Sequence, residues 1–101
     1  AETAAKFLNK LGVKTPVITM GEQGAFLYEH GLIPAFNVGE VVETTGAGDA
    51  FNGGFAVALS EGKSALEAVK FGCATASISV TRAGTAPSMP TRDEVEHLLL
   101  I

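Results

Sequence analysis

Residues 43–59 read Glu43-Thr44-Thr45-Gly46-Ala47-Gly48-Asp49-Ala50-Phe51-Asn52-Gly53-Gly54-Phe55-Ala56-Val57-Ala58-Leu59. A loop of small residues runs here without a break into an amphipathic segment. Phe51, Phe55 and Ala58 share one helical stripe, and Gly62 stands where such a helix would close. Gly46, Ala47 and Gly48 let the backbone fold tightly and come close to a ligand. A helix starting directly behind them aims its unpaired first-turn amides, and the positive end of its dipole, into the loop. The result is an anion hole suited to a phosphoryl group in transfer. Asp49 sits at its mouth as the first charged residue of the helix, where the dipole favours the ionised carboxylate that a base for a hydroxyl proton requires. The same residues also spell a plain turn with a capping aspartate, and composition does not choose between the two. A P-loop is excluded, because no Gly-x-x-x-x-Gly-Lys-Ser/Thr occurs. A dinucleotide fingerprint is excluded too, because Phe51 occupies the place of its last glycine.

Upstream, Glu2 to Leu11 reads as a short amphipathic helix with Ala4, Leu8 and Leu11 on its apolar face and Gly12 as its cap. Pro16 to Met20 is an apolar, β-branched run of buried-strand type. It stops at the turn Gly21-Glu22-Gln23-Gly24. Ala25 to Tyr28 is a second strand, Glu29-His30-Gly31 a turn, and Leu32 to Phe36 and Val38 to Val42 are extended, with Pro34 marking an edge. Downstream, Ser64 and Glu67 form a capping box that opens a helix carrying Leu66, Val69, Cys73, Ala76 and Val80 at helical spacing. Ala83 to Pro90 is a loop by composition. Thr91 and Glu94 form a second capping box before a last helix with Val95, Leu98 and Leu99 on one side. No repeat or linker interrupts residues 1–101, which read as a single α/β unit.

The 101 residues are 47% hydrophobic and 18% charged, with a mean hydropathy of +0.30, which argues against disorder. Eleven acids against seven scattered bases give a net charge of −4, so the basic stripe of a nucleic-acid binder is missing. No apolar run approaches the roughly 20 residues of a membrane helix, and Glu2 and Lys6 among alanines are unlike a secretory leader. The expectation is a cytoplasmic body with neither nucleic-acid nor membrane partners. Cys73, the single cysteine, can form no internal disulfide and no zinc site alone. His30 in a turn, His97 among leucines, and Lys63 and Lys70 at helix ends read as structural or solvated.

Three segments together resemble the ribokinase (PfkB-type) carbohydrate kinases. Glu43 to Gly54 looks like the family's C-terminal signature. Ile18-Thr19-Met20-Gly21-Glu22-Gln23-Gly24 is similar to its Thr-x-Gly-x-x-Gly turn beside bound ATP. Val80 to Ser88 looks like the loop that closes its monovalent-cation site. The resemblance covers the chain from end to end. It implies the C-terminal part of a three-layer α/β/α ribokinase-like domain, and ATP-dependent phosphorylation of a sugar hydroxyl, with D-ribose giving ribose 5-phosphate. By that resemblance Asp49 is the base that meets the sugar, the amides of Gly46, Ala47 and Gly48 are the anion hole, and Mg2+ rides on the ATP phosphates. Thr19, Gly21, Gly24 and Gly48 would line the nucleotide and Cys73 the adenine side, by packing. Glu43, Thr45, Ser79, Arg82, Gly84 and Ser88 would surround K+, several through carbonyl oxygens.

Two departures stand beside it. Glu43 replaces the family's usual aspartate and carries its carboxylate one methylene further out. Family members are also much longer: the sugar-binding region, the lid and an Asn-x-x-Glu motif tied to magnesium have no counterpart here. Asn37 to Glu40 fits that spacing in the wrong part of the pattern. The implied protein is therefore a longer kinase, a homodimer in its parent form, of which this chain alone is inactive. Fructokinases, ketodeoxygluconate kinases and nucleoside kinases share the Gly-Ala-Gly-Asp loop and remain alternatives. So does a non-catalytic nucleotide- or anion-binding module.

Overall fold

A computed structural model describes residues 2–12, 16–36, 39, 41, 46–81 and 92–100. The β-branched run after Pro16 forms β1 (Val17–Thr19), which pairs antiparallel with β2 (Ala25–Leu27), and β2 pairs antiparallel with β3 (Gly31–Ile33). The register sets Val17 opposite Leu27, and Thr19 and Ile33 opposite Ala25. Side chains alternate across a strand, so these residues share the face that meets the helices. The Gly21–Gln23 stretch, expected as a simple turn, winds into one 3₁₀ turn. Gly24 closes it: Met20 N–H donates to the Gly24 carbonyl at 2.8 Å, and Gly24 N–H to the Gly21 carbonyl at 3.1 Å. Gly24 has φ +109 and lies under the chain after β3, where an added Cβ would stand 2.1 Å from the Ile33 carbonyl oxygen. Only glycine fits there.

Among the described residues four α-helices follow the expected segments. α1 (Glu2–Lys10) packs on β1 and β2. It turns Ala5 inward, not Ala4, and leaves Phe7 and Leu11 61% and 66% exposed. The two alanines are adjacent, and the small Ala5 is the one that lets the helix lie close to the strands. α2 (Ala47–Ser60) begins at Ala47, inside the glycine loop rather than after it, and ends in a Schellman motif. There Gly62 N–H donates to the Leu59 carbonyl at 3.0 Å and Lys63 N–H to the Ala58 carbonyl at 3.1 Å. α3 (Ala65–Ser79) opens with the expected capping box. Glu67 N–H donates to Ser64 Oγ at 3.2 Å, and Ser64 N–H donates to Glu67 Oε1 at 3.3 Å. α4 (Arg92–Leu100) buries Val95 and packs Leu98 and Leu99 inward, as its spacing predicts.

α3 is the central element, with most of its residues buried. On one side Val69 and Cys73 join Ala25, Leu27, Ile33 and Phe51 in a core under the sheet. On the other, Ala68, Phe71, Ala74 and Ile78 join Ala58 and Val95 in a core under α4. Phe36 and Phe55 touch both. α2 and α3 meet backbone to backbone. A Cβ on Gly54 would lie 2.5 Å from Thr75 Oγ1, and one on Gly72 would lie 2.9 Å from the Phe51 ring. Gly54, a poor helix former, is therefore placed for close approach and not for a frayed helix. Arg92 ties α4 down: its guanidinium donates to both carboxylate oxygens of Glu61 and, at 2.8 Å, to Glu96, and lies 5.9 Å over Phe71.

Among the described residues, the piece expected from Leu32 to Phe36 pairs only through Leu32 and Ile33, as part of β3, and Pro34 follows the edge strand. Gly39 and Val41 are irregular. The rest of the expected Val38–Val42 strand, the Ala83–Pro90 loop and the Thr91 cap lie outside the described residues. Among the described residues no helix is long and apolar enough to cross a membrane.

Candidate functional site

Gly46 adopts the left-handed conformation (φ +86) as the N-cap of α2, a position where glycine offers no side chain to cap the helix. Ala50 N–H closes the first turn on the Gly46 carbonyl at 2.9 Å. The amides of Gly46, Ala47, Gly48 and Asp49 therefore have no intrahelical acceptor, and they face outward with the positive helix end. Because the helix starts at Ala47, Gly48 and Asp49 belong to its first turn. A Cβ on Gly48 would meet nothing within 4 Å, so the space beside these amides is open. Asp49 is exposed on the same turn.

This turn borders a cleft of about 390 Å³. Thr19, Gly21 and Gly24 form one wall from the β1–β2 connection. Ala35, Phe36 and Val41 come from the chain after β3. Ala47, Gly48 and Phe51 come from α2, and Cys73, Ala76, Ser77 and Val80 from α3. Among the site residues expected from sequence, the cleft thus brings together Thr19, Gly21, Gly24, Ala47, Gly48 and Cys73, which are drawn from segments far apart in the chain. Gly46 and Asp49 flank it without lining it. Ser79, buried at the end of α3, also stands apart from the lining. Glu43, Thr45, Arg82, Gly84 and Ser88 lie outside the described residues.

The lining carries no charged side chain among the described residues. It is mostly apolar, with the hydroxyls of Thr19 and Ser77 and the Cys73 thiol as its polar side chains. Burial pushes the Cys73 thiol up to about 11, so it stays protonated at neutral pH, and its Sγ lies 3.9 Å from the Ile33 carbonyl oxygen. It is a packing group there, not a nucleophile. An apolar pocket bordered by the N-terminus of α2 suits an amphipathic ligand with a flat apolar end and an anionic end. The volume is in the range of small-molecule sites, and the side-chain-free Gly48, whose Cβ position is open, allows backbone contact there. Among the described residues no group of His, Cys, Asp and Glu is placed to hold a metal ion.

Sequence reasoning missed Ala35, Phe36, Val41 and Ser77, and it placed Phe51, Ala76 and Val80 on apolar helical stripes without assigning them to a cleft. The Cys73, Ala76 and Val80 stripe was legible as apolar, but periodicity does not tell a core face from a cleft wall. Ser77 gave no signal, since a serine within a helix is ordinarily a solvated residue.

The pfkB family carbohydrate kinase model matches residues 1–92. The chain is 45% identical to the ribokinase of Haemophilus influenzae, over 98% of this chain and 33% of that protein. Its fold superposes on the ribokinase of Thermotoga maritima with a TM-score of 0.90 and 50% identity, covering 99% of this chain and 34% of the other. The Arabidopsis thaliana ribokinase complexed with ribose and ATP superposes with a TM-score of 0.88 at 40% identity, covering 98% and 33%. The expected ribokinase-like α/β fold is therefore the observed one. The chain spans about a third of the length of these relatives.

Proposed function

The chain belongs to the pfkB family of carbohydrate kinases, and we propose that it supplies the nucleotide side of an enzyme that phosphorylates a sugar hydroxyl with ATP, D-ribose yielding ribose 5-phosphate. The observation that carries this reading is the joining of the open α2 N-terminus to the Gly21–Gly24 turn across one cleft. Similarity to ribokinases, one of them complexed with ribose and ATP, supports the choice of substrates.

In this reading the adenine lies in the apolar part, with Cys73 packing beside it, and Thr19, Gly21 and Gly24 flank the nucleotide. The phosphates run toward α2. The amides of Gly46, Ala47 and Gly48, joined by that of Asp49, hold the oxygens of the γ-phosphoryl group and stabilise the charge that develops on them. The Asp49 carboxylate accepts the proton of the sugar hydroxyl. The freed oxygen bonds to the γ-phosphorus as the bond to the bridging oxygen breaks, and ADP leaves. Mg2+ carried on the ATP phosphates would supply further charge neutralisation. K+ is assigned to Glu43, Thr45, Ser79, Arg82, Gly84 and Ser88. The sugar pocket belongs to the additional length that the relatives have, so the chain by itself is expected to transfer nothing. A cytoplasmic homodimer is the form proposed for the parent enzyme.

The test is ADP release by the chain joined to the upstream region of its gene, with ribose, fructose, ketodeoxygluconate and adenosine offered in turn. One acceptor should stimulate release, and Asp49→Asn should lower that rate by about 10²–10⁴. ATP binding without transfer to any acceptor, unaltered by Asp49→Asn, would instead identify a binding module.

A further inference from the structure

We infer that Ser77 is a positioning residue for the nucleotide, its hydroxyl fixing the chain at Phe36 as one wall of the cleft. The inference rests on the nucleotide reading of that cleft. Strand pairing ends at Ile33, and Pro34 has no N–H to extend it. Beyond that point Phe36 N–H donates to Ser77 Oγ at 2.9 Å, across 41 residues of sequence. Ser77 is 6% exposed on the central helix, so its oxygen is held by a rigid frame. Ser77, Phe36 and Ala35 all line the cleft.

The segment that this bond holds also carries the opposite turn. Gly24 lies directly beneath residues 33–35: a Cβ there would be 2.1 Å from the Ile33 carbonyl oxygen and 2.7 Å from Ala35 N. The fixed α3 helix therefore sets Phe36, and Phe36 sets the backbone on which the Gly21–Gly24 turn rests. Two walls of the cleft depend on one hydroxyl. Removing it leaves a partly buried N–H without its acceptor, which favours outward movement of the segment. The α2 N-terminus, anchored separately against α3 through Gly54 and Gly72, stays in place. The consequence is a loss of nucleotide affinity without a loss of the chemical step.

The experiment uses the kinase formed by the chain and its upstream region. Ser77→Ala should raise the KM for ATP about three- to tenfold, with kcat and the KM for sugar within about twofold of the parent. Thr75→Ala on the same helix removes a buried hydroxyl whose 2.8 Å bond goes to the Phe71 carbonyl, away from the cleft, and should leave the KM for ATP unchanged. A parent enzyme that phosphorylates sugar while Ser77→Ala keeps its KM for ATP overturns the positioning role and leaves the kinase reading standing. An equal rise with Thr75→Ala also overturns it, as general loosening. A parent inactive on every acceptor overturns the kinase reading itself. Should Ser77→Ala not fold, the unaltered protein decides: a non-hydrolysable ATP analogue should slow hydrogen exchange of the Phe36 amide by about tenfold. No slowing there refutes the inference.

Discussion

Gly54→Ala tests whether α2 and α3 are packed as closely as the structure shows. In an exposed helix interior this change is favourable by about 0.5–1 kcal/mol. Here the new Cβ would stand 2.5 Å from Thr75 Oγ1, 3.0 Å from Thr75 Cβ and 3.3 Å from Gly72 Cα. Thr75 is β-branched and buried, and its hydroxyl is engaged with the Phe71 carbonyl at 2.8 Å. It cannot turn aside without breaking that bond, which is worth about 0.5–1.5 kcal/mol. If it stays, the helices must separate, and overpacking of this kind costs about 1–3 kcal/mol. Set against the propensity gain, the net destabilisation is about 0.5–2 kcal/mol. Urea unfolding followed by far-ultraviolet circular dichroism reads it as a lower midpoint at unchanged slope. A double-mutant cycle with Thr75→Ala should recover about 1 kcal/mol or more, because the truncated side chain makes room. A midpoint equal to or above the parent's would refute the close approach.

Gly48→Ala should leave stability level or slightly raised, because its Cβ meets nothing within 4 Å. Sugar phosphorylation by the chain joined to its upstream region should fall about tenfold or more as the methyl crowds the proposed anion hole; unchanged turnover would remove Gly48 from the proposed site. Bonds from the Ser64 backbone and hydroxyl hold Glu67 below the ordinary glutamate range. A depressed carboxylate pKa contributes stability that is present above the unfolded-state value and is lost as pH falls through the folded one. Acidification below the ordinary range should therefore weaken α3, and Glu67→Gln should flatten that part of the stability profile measured by urea unfolding across pH. Cys73, raised to about 11 by burial, should resist alkylation by iodoacetamide at neutral pH in the folded protein and react fully in urea, by mass spectrometry. Rapid labelling of the folded state would contradict its packing role.

The parts legible in the sequence were those with local causes. Ser64 and Glu67 announce a capping box because the bonds join residues within one turn, and the box is present. Gly62 announces the end of α2 because the Schellman motif is equally local. The start of α2 was less legible. Gly48 and Asp49 have loop composition, yet a first helical turn accepts glycine and favours an acid, so the helix extends back to Ala47. Which side of α1 faces the strands depends on neighbours, and spacing alone points to Ala4 where the structure buries Ala5. The glycine turns of the site were legible for the same local reason as the caps. The cleft's other walls were not: Phe36 reaches Ser77 across 41 residues, a contact that only the tertiary fold creates.

The central claim is that one cleft takes the nucleotide with its phosphates at the N-terminus of α2. Amide chemical shifts of the isotopically labelled protein, recorded on addition of a non-hydrolysable ATP analogue and then of adenosine, test it most directly. The analogue should move the amides of Gly46 to Asp49 together with those of Thr19 to Gly24 and Cys73 to Val80. Adenosine should move the Cys73 to Val80 set and leave Gly46 to Asp49 in place. Shifts from the analogue that bypass Gly46 to Asp49 would contradict the account.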